Sequence, residues 1–309
     1  MLELLEALLF STLDAAPALI FAALGGVLSE RAGVVNVGLE GQMRVGAFCA
    51  AVAALSMPTP LAVMVGMVAG AGLASVHGYL SIRWRSDQVV SGMAINLVAM
   101  AGGTFLLEAL YSPNGTPPIA QLPRWNLPGL AEVPLLRALS NHPSLAYLAL
   151  LLPFVFHAVL HHTPVGLRLR AVGEKPHAVA TLGLSVAALR WGAVVGGGLL
   201  AGLGGAVLST AVLDRFEQHT PAGLGFMALA AVVFGRWTPL GAFAAALFFS
   251  FGNALRIGLA SSAPGLLDVI PQGFLLALPY LLTLILLAVQ GQRSSAPAAL
   301  GTPYEQESR

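Results

Sequence analysis

Residues 191–213 read WGAVVGGGLLAGLGGAVLSTAVL, without a charged side chain and with Ser209 and Thr210 as the only hydroxyls. As a helix such a run spans roughly 34 Å, enough to cross about 30 Å of hydrocarbon. Immediately before it, residues 162–190 read HTPVGLRLRAVGEKPHAVATLGLSVAALR and carry Arg168, Arg170, Glu174, Lys175 and Arg190. Lys175 is the only lysine in the protein. A basic, helix-compatible insert beside a membrane-grade run is too long for a hairpin turn and too short for a domain. It is expected to be gripped by a partner in the cytoplasm.

Outward from this pair, the same alternation covers the chain. With 57% hydrophobic and 9% charged residues and a mean hydropathy of +0.81, most side chains here cannot face water, since an ordinary globular domain is about 25% charged. The composition gives an all-α, polytopic transmembrane helix bundle. Nine apolar segments are candidates for spans: 7–28, 34–55, 61–80, 89–110, 144–161, 191–213, 222–234, 239–259 and 272–289. The seventh is short and Gly-rich and reads as broken or re-entrant, so about 8–10 spans are expected. Residues 1–290 are expected to form one membrane domain, and 291–309 a disordered cytoplasmic tail.

Arginine placement sets the orientation. With 162–190 inside, Arg31, Arg83, Arg85, Arg236, Arg293 and Arg309 also fall inside, against Arg124, Arg137 and Arg215 outside. The N-terminus then lies outside, as does the Pro-rich loop 111–143, whose prolines favour an extended connector that could meet an extracytoplasmic partner. Gly66/Gly70, Gly192/Gly196 and Gly198/Gly202 stand at helix-packing spacing and predict close helix contacts.

Several chemistries are excluded. A net charge of +1 offers no basic face for nucleic acid. Cys49 is a single cysteine, and the adjacent His161 and His162 point to different helix faces, so no metal site is expected. A P-loop needs Gly-Lys-Ser/Thr, whereas Lys175 precedes Pro176. No catalytic residue and no bound cofactor is expected.

What polarity remains lies within apolar segments, where ionisable groups are candidates for function. Residues 29–44 read SERAGVVNVGLEGQMR, with glycines that suggest an interrupted helix lining a polar cavity. Asn36, Glu40, Gln42 and Asn96 are therefore candidates for a substrate path. Glu40 and Arg44 stand four residues apart in the order that favours an ion pair, which is an equal reading of Glu40. In the insert, Gly173 to Pro176 suit a helix start near Lys175. Ala178, Val179 and Leu182 form a small apolar stripe, with Arg168, Arg170 and Lys175 on its rim.

Four stretches carry a resemblance to a known family. They are AGVVNVGLEGQMRVGAF (32–48), SDQVVSGMAINLVA (86–99), GLRLRAVGEKPHAVATLGLSV (166–186) and GLGFMALAAVVFGRWTPLGAF (223–243). Together they resemble permease subunits of ATP-binding-cassette importers of the branched-chain amino acid and ribose type, in the nucleoside and simple-sugar branch. The run from Val172 to Pro176 (VGEKP), followed by Gly183, is similar to that family's coupling segment, which adds Glu174 and Gly183 to the residues expected to meet the ATPase. The resemblance implies a multi-pass subunit of the bacterial inner membrane, without an ATPase of its own, in which partner subunits bind ATP. It implies two ATPase subunits, a second related permease chain and an extracytoplasmic solute-binding protein as partners. Nucleosides or purine-like solutes are the first expectation for cargo and ribose-like sugars the second. An ion-coupled secondary transporter is a further alternative, for which Glu40 would be the main carboxylate.

Overall fold

The computed structural model describes residues 2–129, 135–262 and 296–305. Ten α-helices follow in order among them: α1 (Leu2–Arg31), α2 (Leu39–Ala54), α3 (Thr59–Gly78), α4 (Gln88–Leu110), α5 (Ser144–His162), α6 (Pro164–Glu174), α7 (Pro176–Thr181), α8 (Val186–Val207), α9 (Leu224–Phe234) and α10 (Pro239–Ser262). α3 and α8 run on into π-helical turns, Tyr79–Arg83 and Leu208–Val212. Six helices are long and apolar enough to cross a membrane: Leu5–Arg31, Thr59–Arg83, Gln88–Leu110, Ser144–His162, Val186–Val212 and Pro239–Gly258. The expected segment 272–289 lies outside the described residues, as do Arg293 and Arg309.

Two of the sequence segments are shorter helices than expected. The second was expected over 34–55, but its helix starts at Leu39 because residues 34–37 are non-helical. The seventh yields α9, 11 residues and so roughly 16 Å long, which fits the broken element expected there.

α8 lies at the centre and packs on α1, α2 and α3. Lipid supplies no hydrophobic drive between helices, so close backbone approach has to hold the bundle. Glycine makes that approach possible. A Cβ on Gly70 would stand 2.5 Å from Gly202 Cα, and one on Gly198 would stand 2.2 Å from Ala74 Cβ. Gly66 likewise meets Gly46 and Ala206. The predicted pair Gly192/Gly196 differs: Gly192 has nothing within 4 Å and Gly196 meets only the Leu28 side chain. Their spacing is right, but Gly192 faces away from other helices and Gly196 meets α1 through a side chain rather than its backbone.

The two ends of the bundle are tied differently. At one end, Arg124 bridges to Asp14 at 2.9 Å and Arg137 to Glu6 at 3.7 Å, so loop 111–143 shares that end with the start of α1. The loop is not a plain connector. Arg124–Trp125 (β1) pairs antiparallel with His142–Pro143 (β2), and Thr116, Ile119 and Leu122 donate backbone hydrogen bonds to Phe216, Asp214 and Thr210. At the other end lie α6, α7 and residues 296–305. Residues 296–305 were expected to be part of a disordered tail. They instead hold Gly173 O through Ala299 N and Gly33 O through Gly301 N, at 2.8 and 3.2 Å. Leu300 and Tyr304 of this Ala- and Pro-rich stretch (APAALGTPYE) pack on the main core, a tertiary contact that no local pattern reports.

Candidate functional site

The segment expected to meet the ATPase folds as two short helices. Thr163 caps α6 by accepting from Gly166 N, with Pro164 in the first turn; Pro176 opens α7, and Gly183 follows with φ +76°. Gly173 lies against the end of α1, where a Cβ would stand 2.1 Å from Arg31 O, so only glycine allows this contact. Arg168, Glu174, Lys175, Ala178 and Gly183 are exposed, and Leu182 is 78% exposed. Arg170 is half-buried. The predicted apolar stripe is split: Val179 is 3% exposed and belongs to the core, while Ala178 and Leu182 face outward. A six-residue helix resting on the bundle must turn one apolar side chain inward.

The break between α1 and α2 is held by side chains from other helices, as non-helical backbone inside a membrane protein requires. Val35 N donates to Gln88 Oε1 at 2.7 Å, and Val35 O accepts from His77 Nε2 at 2.9 Å. The other ring nitrogen of His77 accepts from Ser91 Oγ at 2.7 Å, which fits the tautomer that the carbonyl demands. Asn96 bridges the break, with Nδ2 donating to Val37 O at 2.9 Å and Oδ1 accepting from Gly41 N at 2.8 Å. Asn36 and Gln42 form a reciprocal amide pair at 3.2 and 2.9 Å, and neither has exposed surface.

Glu40 and Arg44 do not pair with each other in the observed ion bridges. Both reach the segment before α9, by opposite chemistry. Glu40 accepts from Gly223 N at 2.8 Å and Gly225 N at 2.7 Å. Arg44 donates to Thr220 O and Gln218 O at 2.7 and 2.8 Å, and to Thr104 Oγ1 at 3.0 Å. α9 has no side-chain cap of its own, and Gly223 sits at φ +88°. Glu40, in the first turn of α2, thus caps the first turn of α9, so one carboxylate serves the positive ends of two helices. At its other end, α9 turns into α10 at Arg236 and Trp237, both with positive φ. There Trp237 Nε1 donates to Glu30, and Arg31 Nε donates to Trp237 O.

Beside α9 lies a cavity of about 470 Å³. Its floor is apolar, with Leu19, Leu224, Met227 and Phe249, and its polar groups are Glu217, His219, Thr220, Ser250, Asn253 and Arg256. Arg256 donates to Asn253 Oδ1 at 3.0 and 3.2 Å. A few convergent polar groups on an apolar surface are the ordinary form of a small-molecule site.

Residues 8–287 match the family model described as the branched-chain amino acid transport system permease component. The chain belongs to this family. The permease is 40% identical over 93% of its length to the nucleoside ABC transporter permease NupC of Lactococcus lactis, covering 92% of that protein. It is 40% identical over 98% of its length to the guanosine ABC transporter permease NupQ of Bacillus subtilis, covering 97% of it. A putative glucose ABC transporter permease, TsgC13 of Haloferax volcanii, is 34% identical over 97% of this chain and 98% of its own. No solved structure matches. Family membership and six apolar helices make the permease a multi-pass protein of the bacterial inner membrane, a subunit of an ABC importer that works with ATPase and solute-binding partners.

The sequence singled out Asn36, Glu40, Gln42 and Asn96, and the structure brings all four to one place. It missed Gln88 and His77, which complete that place, and Trp237, which meets Glu30 at the far end of α9. A polar residue within an apolar span was the available signal for His77, whereas Gln88 follows Ser86 and Asp87 at the first position of α4 and carried no such signal.

Proposed function

We propose that the permease moves nucleosides into the cytoplasm, as one of two related permease chains served by two ATPase subunits and an extracytoplasmic binding protein. The observation that carries this reading is 40% identity, over nearly the whole chain, to two permeases named for nucleoside and guanosine transport. The cavity beside α9 supports it, being large enough for a nucleoside and lined by donors and acceptors suited to ribose hydroxyls and base edges. Asn36, Glu40, Gln42 and Asn96 frame the path by fixing the α1–α2 break and the start of α9. Arg168, Arg170, Gly173, Glu174, Lys175, Pro176, Ala178, Leu182 and Gly183 form the surface that meets the ATPase, and Val179 anchors it from within. One chain presents one such surface, which engages one ATPase of a pair; a second permease chain supplies the other. The permease has no enzymatic activity of its own.

The test is uptake into proteoliposomes holding the permease, its candidate partner chains and the binding protein. ATP-dependent accumulation of labelled guanosine, competed by other nucleosides and not by glucose, is expected. Uptake competed by ribose or glucose and not by nucleosides would replace the cargo with a sugar, the reading favoured by the relative named for glucose. Accumulation by this chain alone under an ion gradient, without ATP, would overturn the ABC assignment.

A further inference from the structure

At the cytoplasmic end a second cleft, of about 600 Å³, opens between the α3–α4 turn, the start of α8 and the tail. Its walls are apolar and aromatic, with Tyr79, Ile82, Leu184 and Trp191, while its rim carries Arg83 and Arg85. Both arginines are exposed, and Arg83 has no hydrogen bond or ion pair among the described residues. The rings of Tyr79 and Trp84 meet at a tilt with centroids 5.2 Å apart beside the rim, and Trp84 is 64% exposed. Aromatic rings next to arginines at the inner end of a span mark the depth of the lipid headgroups.

The tail shows what the rim attracts. Tyr304 lines the cleft, and the next residue, Glu305, places its carboxylate 3.0 Å from Arg85 Nη1. This pair is exposed on both sides, 47% and 76%, so it is weak and exchangeable. An anion is thus already drawn to the mouth of a cleft whose interior suits acyl chain and glycerol and whose rim suits phosphate. The nearby polar element, the first turn of α8, is capped by Ser185 Oγ accepting from Ala188 N and leaves further amides at the same level.

We propose that this cleft binds the headgroup of an anionic phospholipid from the inner leaflet, phosphate on Arg83 and Arg85, in competition with Glu305. The ligand chemistry is a phosphodiester joined to apolar chains, which the inner leaflet supplies at this depth. Occupation displaces the end of the tail from Arg85, so the lipid and residues 304–305 report on each other across the same cleft.

Native mass spectrometry of the permease released from phosphatidylcholine nanodiscs containing a minor share of phosphatidylglycerol tests this. Preferential retention of phosphatidylglycerol is expected. The double variant R83Q/R85Q is expected to lower it roughly 30-fold, each arginine near an anionic surface being worth about fivefold. Glu305→Gln removes the competitor and is expected to raise retention severalfold; it acts on an exposed tail residue, so it reads out even if the double variant fails to assemble. Inorganic phosphate added in excess separates the two sources of the anion. If free phosphate displaces the lipid fully, the cleft is an anion site and the lipid proposal fails. Equal retention of phosphatidylcholine and phosphatidylglycerol, or no change in both variants, overturns it as well.

Discussion

Glu40 is four residues from Arg44, yet each acts on a segment more than a hundred and seventy residues away. Replacing Glu40 with Gln leaves one carbonyl oxygen for two amides, Gly223 N and Gly225 N, and sets an NH₂ against the other. The expected cost is about 1–3 kcal/mol, the penalty for a buried donor left unpaired. It should appear as a lower melting temperature of the purified permease and poorer recovery of the assembled complex. Because Arg44 has its own acceptors, the exchange E40R/R44E should not restore either quantity; restoration would show that the two side chains do pair. Gly202 gives a second test at this scale. G202A forces a Cβ to within 2.6 Å of Gly66 O and is expected to destabilise by about 1–3 kcal/mol through overpacking, whereas G192A, which meets nothing within 4 Å, should leave thermal stability unchanged or raise it. Equal melting temperatures for the two variants would refute the packing assigned to α8.

At the level of elements, the long helices were legible because each needs only composition and length, as in the uncharged run that became Val186–Val212. The break before α2 was legible from Gly33, Gly38 and Gly41, with Asn36 between the first two. What held the break was not, since Gln88, His77 and Asn96 stand 42 to 59 residues away along the chain, and no local pattern reports such partners. α7 shows the same limit on a smaller scale. Sequence gave Ala178, Val179 and Leu182 as one stripe, but over six residues the period cannot decide which member faces the bundle. The structure separates them, and with them two outcomes. Ala178→Glu should leave folding intact while lowering ATPase retention or transport per ATP hydrolysed. Val179→Glu buries a carboxylate in the core and should reduce the amount of folded permease instead. A178E with normal coupling, measured by uptake and ATP hydrolysis together, would remove α7 from the ATPase contact.

Across the whole molecule these contacts form one connected frame. α6 rests on α1 through Gly173 and Arg31; Glu30 and Arg31 hold the α9–α10 turn at Trp237; Glu40 holds the other end of α9, beside the cavity. A displacement of α6 and α7 therefore reaches α9 through packed backbone and short hydrogen bonds rather than through a flexible loop. The tail closes the frame at the α6–α7 end, since Ala299 holds Gly173, Gly301 holds Gly33, and Thr302 O accepts from Arg190 Nη1 at 3.0 Å. Arg190 is 2% exposed, and its Nε and Nη2 have no other partner among the described residues, so the tail supplies the one hydrogen bond that this buried guanidinium has there. Deleting residues 296–309 should spare the membrane helices, whose packing lies on α8, but free α6 and α7 to move against the bundle. We expect the truncated permease to insert and assemble, to be cut faster by protease within residues 163–183, and to transport less solute per ATP hydrolysed. An unchanged cleavage pattern with an unchanged transport ratio would show that α1 alone positions the coupling helices and that the tail plays no part in transmission.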